Sequence, residues 1–368
     1  MSTTPGTGPA TGRAAAWRGV VAEYRPFLSL PSGAPSLTLH EGNTPLVPAL
    51  RAGRGADLFF KIEGSNPTGS FKDRGMAVAV SGALAEGARF LVCASTGNTS
   101  ASAAAFAARA GLPALLAVPS GDGAVARGKL AQALAFGARL VLVRGNFDQA
   151  LAAVRALAAL RPDAALVNSV NPLRLEGQKT GAFEVVEQLG DAPDWLCIPV
   201  GNAGNISAYW RGFCEYRQSG RARGVPRLLG AQAAGAAPLV HGAPVEAPET
   251  LASAIRIGHP ASAHLARAAV AEADGRFLAV DDAAILRAYC FLAQQEGIFC
   301  EPASAASLAG FWVARASGLI AEGQRVVCVL TGNGLKDPER AVAVSGTPLE
   351  AEATAEALIG TLPAELQA

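Results

Sequence analysis

The sequence predicts an α/β fold with two lobes, each built on a parallel sheet. Three observations carry this. Short apolar runs alternate with Ala-rich segments of helical period. Those runs are nearly continuous rather than alternating, as in strands covered on both faces. The chain has 368 residues, half of them hydrophobic, more than one small core organises.

The elements follow in order. Residues 58–62 (Leu-Phe-Phe-Lys-Ile), 90–94 (Phe-Leu-Val-Cys-Ala), 114–118 (Ala-Leu-Leu-Ala-Val) and 139–143 (Arg-Leu-Val-Leu-Val) are short apolar runs bounded by Gly, Pro or Ser, and are predicted as strands. The same pattern marks 165–168, 195–200, 228–232 and 326–330. Helices are predicted over 100–110, 127–136, 148–160, 175–189 and 206–216, where the period changes to 3.6. No internal repeat interrupts this order.

Composition narrows the function. Net charge is +1, only 17% of residues are charged and aromatics are few, which argues against nucleic acid as a partner. No run of about 18 apolar residues is present, so no membrane span is expected. Cys93, Cys197, Cys214, Cys290, Cys300 and Cys328 form no Cys-x-x-Cys pair, and the four histidines form no His-x-x-x-His. Free thiols in a reducing cytoplasm are expected, and no metal site.

The motifs lie just past strand ends, where α/β folds bind ligands. Residues 64–75 read Gly-Ser-Asn-Pro-Thr-Gly-Ser-Phe-Lys-Asp-Arg-Gly. Lys72 is expected in a turn made by Gly64, Pro67, Gly69 and Gly75, which fix the backbone and hold the amine in place. A partly desolvated amine loses charge and can attack a carbonyl, as an imine-forming lysine holding pyridoxal phosphate does. The plain alternative is a surface lysine. Gly201-Asn202-Ala203-Gly204-Asn205 opens a helix whose N–H groups can cradle a phosphate, or is an ordinary strand-to-helix turn. Ser95-Thr96-Gly97-Asn98-Thr99 suits a carboxylate, or is a simple cap. Thr331 ends an apolar strand; its hydroxyl faces a ring nitrogen or caps the next turn. Gly123-x-x-x-x-Gly128-Lys129 fails as a P-loop because Leu130 replaces the Ser/Thr. The sequons at Asn98 and Asn205 carry no meaning without a signal peptide.

These stretches, with Glu41-Gly42-Asn43-Thr44-Pro45-Leu46, 128–132, 168–180, 254–258 and 330–338, resemble the threonine synthases of the shorter bacterial type. The resemblance runs from about residue 38 to 340 and places the chain in the pyridoxal phosphate fold-type II superfamily. It implies three-layer sandwiches with the cofactor in the interdomain cleft. The domains implied are a disordered lead at 1–14, a large domain from 15–75 and 171–345, a small domain at 76–170, and a tail at 346–368.

By the same resemblance Lys72 is the imine-forming lysine. Asn98 hydrogen-bonds the cofactor's ring hydroxyl. Gly201, Asn202, Ala203, Gly204 and Asn205 hold its phosphate, and Thr331 faces its pyridine nitrogen. Ser95, Thr96 and Thr99 bind the substrate carboxylate. Asn168, Ser169 and Arg174 take the phosphate of O-phosphohomoserine, with Lys129 as a possible helper; the plain alternative pairs Arg174 with Glu176 or Glu184. The implied reaction is γ-elimination of phosphate followed by addition of water at Cβ, with Lys72 as acid–base catalyst. A homodimer is implied too. His259 and Ala263 stand where the family carries Asn and a bulky residue, and either alter the chemistry or fill space. Glu301 is given no role. The competing readings are a serine/threonine dehydratase, a paralogue acting on a related phosphorylated amino acid, and a non-catalytic ligand-binding protein of this fold.

Overall fold

A computed structural model describes residues 16–95, 97–120, 127–363 and 366, with 127–129 by backbone alone. The expected lead at 1–14, together with Thr96 and most of the Gly123–Lys129 stretch, lies outside the described residues. The chain forms two compact units, one ending at Lys336 and a second over Asp337–Ala368 that carries helices Pro338–Val344 and Ala355–Ile359.

The first unit carries ten described strands: β1 Leu46–Pro48, β2 Asp57–Ile62, β3 Phe90–Ala94, β4 Ala114–Pro119, β5 Arg139–Val143, β6 Ala164–Leu166, β7 Trp195–Pro199, β8 Arg227–Ala233, β9 Arg276–Val280 and β10 Arg325–Leu330. Six form a sheet in the order β1-β2-β10-β7-β8-β9, parallel except for β1. Four form an all-parallel sheet in the order β5-β4-β3-β6. The α/β class and the parallel sheets are as the apolar runs predict. Every expected strand is present. Two were not expected, β1 and β9, both at sheet edges. β1 has three residues and ends in proline, and β9 is only half-buried, so neither carries a strong apolar pattern.

Six helices position the site: α1 Lys72–Ala85, α2 Asn98–Ala110, α3 Pro172–Gln178, α4 Thr180–Leu189, α5 Gly204–Gln218 and α6 Pro302–Ala316. Two expectations are corrected. Lys72 is the first residue of α1, not part of a turn, and Gly75 lies inside that helix. The helix expected over 175–189 divides at Lys179, where the Thr180 hydroxyl donates to the Gly177 carbonyl.

Glycine decides how α1 meets α3. A Cβ on Gly75 would stand 2.6 Å from the Arg174 carbonyl oxygen, and one on Gly177 would collide with the Arg74 carbonyl. Without side chains there the two backbones touch, and Arg174 is carried to within one turn of Lys72.

A buried ion cluster locks this arrangement. The Arg74 guanidinium donates to both oxygens of Glu63 and both of Glu184 at 2.6–2.7 Å. Lys61 Nζ donates to Glu184 Oε2 at 2.8 Å and to the Thr44 carbonyl at 2.7 Å. Two cations balance two carboxylates away from water. Although burial works against ionisation of Glu184, the adjacent Arg74 and Lys61 hold its carboxyl down at about 2. Asn43 and Thr44 donate their N–H groups to Glu184, so the Glu41–Leu46 motif serves the frame. Glu184→Ala would leave Lys61 without its carboxylate and Arg74 half-paired. The expected loss is about 3–5 kcal/mol, readable in denaturant unfolding.

Candidate active site

Parallel pairing places the motif loops together. β10 lies between β2 and β7, with Leu330 in register with Ile62 and Cys328 with Cys197. The loops leaving the carboxyl ends of these strands, 63–71, 331–333 and 200–203, therefore share one edge of the sheet. Backbone bonds tie two of them: Phe71 N–H donates to the Thr331 carbonyl at 3.0 Å and Asn333 N–H to the Gly69 carbonyl at 2.9 Å.

Lys72 follows this tie directly. Burial pushes its amine down to about 7, the Arg174 charge pushes further, and the Glu301 carboxylate opposes both. An amine with that value is about half neutral at pH 7 and mostly neutral above it, so a large fraction can accept a proton or attack a carbonyl. The next residue, Asp73, accepts from Thr68 N–H, Thr68 Oγ1 and Ser102 Oγ at 2.6–2.7 Å, which anchors the first turn of α1.

Arg174 is fully buried. Its Nη1 donates to the Val167 carbonyl at 2.8 Å, while Nε and Nη2 have no partner among the described residues. The carboxylates that might have paired with it are engaged elsewhere: Glu176 with Lys179 and Arg211, Glu184 with Lys61 and Arg74. Burial pushes the guanidinium down to about 10, still charged at neutral pH. A buried guanidinium with two unmet donors is costly, and an anion satisfies it. Cys93 at the end of β3 lies near both cations, and burial pushes its thiol up to about 12.

Asn168 has a different position from the one the motif suggests. Its Oδ1 accepts from Ala94 N–H at 2.9 Å and its Nδ2 donates to the Ala94 carbonyl at 2.8 Å. The side chain continues the β3–β6 pairing and holds the loop that leads to half-buried Ser169 and then to Arg174.

The 201–205 loop meets the requirements of a phosphate cradle. Ala203, the residue before α5, has φ 68°, a left-handed conformation that turns successive N–H groups inward, and no side chain caps the helix. Asn205 is buried and both its amide atoms lack partners among the described residues. Gly201 is hemmed in: an added Cβ would stand 3.1 Å from Ile255 Cα. Ser70 Oγ, two residues before Lys72, is another buried atom without a partner among the described residues. Orphaned polar atoms around a lowered lysine fit pyridoxal phosphate, which brings a phosphate and two further polar ring positions.

The remaining residues converge from both sheets. Gly97 precedes α2 and makes no side-chain capping bond to it; the Ser100 N–H donates to the Gly97 carbonyl at 3.0 Å, and Ser95 and Thr99 flank this helix start. Asn98 Nδ2 donates to Glu301 Oε1 and Oε2 at 3.2 and 3.1 Å. Thr331 Oγ1 lies 3.0 Å from Ser304 Oγ, which also accepts from Gly332 N–H at 2.9 Å. Sequence reasoning passed over Ser304; its one signal was a hydroxyl in the first turn of an Ala-rich helix. It passed over Lys336 too, whose Nζ donates to Gln132 Oε1.

His259 faces outward, half-exposed, 3.5 Å from the exposed Glu246. His259→Asn is expected to leave turnover within about twofold, as a steady-state assay of the variant would read.

Comparison with known proteins follows the same lines. The family described as "Pyridoxal-phosphate dependent enzyme" matches residues 37–332. A protein of Synechocystis sp. named threonine synthase is 57% identical over 339 residues, covering 91% of this chain and 87% of that protein. A threonine synthase of Mycobacterium bovis is 53% identical over 358 residues, covering 96% and 99%. Among solved structures, maize serine racemase superposes with a TM-score of 0.71 at 20% identity, covering 88% of this chain and 94% of that one, a likeness of fold alone.

Proposed function

The chain belongs to the pyridoxal-phosphate-dependent enzymes and, among them, to the threonine synthases, and from that membership we propose that it converts O-phospho-L-homoserine and water to L-threonine and phosphate. The observation that carries the substrate is Arg174, a buried guanidinium whose electrostatic reach extends to Lys72 and whose Nε and Nη2 await an anion. The 201–205 cradle can take the cofactor's phosphate, so the site grips two phosphoryl groups.

When bound, pyridoxal phosphate supplies the electron sink that stabilises negative charge on the substrate carbon skeleton. The chain's residues do the rest. Lys72, in its unprotonated form, takes the proton from Cα, releases it, and then takes one from Cβ; protons go back to Cγ, which becomes the methyl group once phosphate has left, and to Cα, while water supplies the hydroxyl at Cβ. Arg174 orients the substrate phosphate and steadies its charge as the Cγ–O bond breaks. The start of α2, with Ser95 and Thr99, holds the substrate carboxylate. Thr331, a neutral hydroxyl, faces the pyridine nitrogen, and Ser304 orients it.

We also propose a cytoplasmic homodimer. The six free thiols, four of them buried, support a reducing compartment; sedimentation of the purified protein tests the dimer. The function is tested by incubating cofactor-loaded protein with O-phosphohomoserine. Phosphate and threonine in equal amounts are expected, and bound cofactor without phosphate release would contradict the proposal.

A further inference from the structure

Glu301 is the carboxylate the reaction scheme leaves without work. It is buried at the amino end of α6, where an added Cβ on Gly332 would stand 2.5 Å from its Oε1. Its N–H donates to the Gly332 carbonyl at 2.9 Å, tying it to the Thr331 loop. Its carboxylate reaches the other sheet's helix α2 and takes Asn98 Nδ2 on both oxygens.

An ionised carboxylate only accepts hydrogen bonds, whereas a side-chain amide presents a donor at one end and an acceptor at the other. Whatever faces Glu301 from Asn98 must therefore be the NH₂ end. The two carboxylate oxygens stand at nearly equal distance from Nδ2 and share one of its hydrogens, so the second hydrogen of the same nitrogen points elsewhere and the Asn98 oxygen is kept turned away. We propose that Glu301 is a positioning residue: it sets the rotation of the Asn98 amide so that the side chain can only donate toward the cofactor's ring oxygen. The inference rests on Asn98 facing that oxygen, as read above. It gives a role to a buried acid that stands one residue before Pro302 and takes an asparagine on both its oxygens. A glutamine at 301 carries both a donor and an acceptor, so the Asn98 amide would be free to turn over and present its oxygen to an oxygen.

The test uses cofactor-loaded full-length protein and its visible absorption band. Wild type, Asn98→Ala, Glu301→Gln, Glu301→Asp and the Asn98→Ala/Glu301→Gln double variant are compared. The band reports only on folded, loaded protein, so a partly destabilised variant is still read. Glu301→Gln is expected to displace the band in the same direction as Asn98→Ala and to weaken pyridoxal phosphate binding about tenfold in a direct titration. Glu301→Asp, still acceptor-only, is expected to recover most of both. In the Asn98→Ala background, Glu301→Gln is expected to change nothing further. A band unmoved by Glu301→Gln, or a displacement that persists undiminished in the Asn98→Ala background, would overturn the proposal. A wild-type protein with no band at all would instead refute the cofactor reading beneath it, and a normal band unaffected by Asn98→Ala would refute the role of Asn98.

Discussion

Lys72→Ala is expected to reduce turnover of O-phosphohomoserine by at least about 10⁴-fold while leaving the protein folded. The loss is large because one amine is asked to act several times: it anchors the cofactor, and it serves in the proton transfers that remove hydrogens from Cα and Cβ and return them at Cγ and Cα. No other described lysine can replace it. Lys61 is held by Glu184, Thr44 and Gln188 in the ion cluster, Lys179 is paired with Glu176 and Glu215, and Lys336 donates to Gln132. Folding is expected to survive because the Lys72 amine has no hydrogen-bond partner among the described residues to orphan; its Nζ lies 4.1 Å from the centroid of the Phe71 ring. Removing it also removes the cost of burying a group that prefers to be charged. The direction with pH follows. The amine's value lies near 7 in the fold and near 10.5 when unfolded. Between those values the unfolded chain binds the extra proton, so cofactor-free wild type gains stability from this group as pH rises from about 7 to 10.5, and Lys72→Ala flattens that rise. Chemical unfolding at pH 7 and pH 9 would show it.

Arg174→Ala is expected to lower kcat/KM for O-phosphohomoserine by about 10²–10³-fold, two charge-assisted hydrogen bonds being lost. Arg174→Lys keeps the charge and loses the fork, so partial activity is expected. The variant also separates the competing readings. A dehydratase substrate has no phosphate, so elimination from serine or threonine would be insensitive to this residue. A rate on O-phosphohomoserine unchanged by Arg174→Ala would remove the substrate assignment, whatever the protein's relatives do.

Much of this was legible in the residues, for physical reasons that differ from site to site. Buried parallel strands announce themselves by unbroken apolar runs, and these gave the sheets; the edge strands Leu46–Pro48 and Arg276–Val280 lack that pattern because half their surface meets solvent or loop. The glycine-asparagine stretch at 201–205 and the lysine at 72 were visible as local chemistry. Contacts made over long separations were not. Nothing near Gly75 in the sequence says that its missing side chain admits the Arg174 backbone, so a glycine of the helix interior looked like a turn glycine. Asn168 looked like a ligand for phosphate, yet both its polar atoms serve Ala94, 74 residues away. Glu301 had no readable role because its partner Asn98 lies 203 residues before it.

Borohydride reduction of the cofactor-loaded protein, followed by digestion and mass mapping, bears most directly on the site. A pyridoxyl phosphate group is predicted on the Lys72 side chain alone, and absent from Lys72→Ala. The same label on Lys61, Lys179 or Lys336, or its persistence in the variant, would contradict the account.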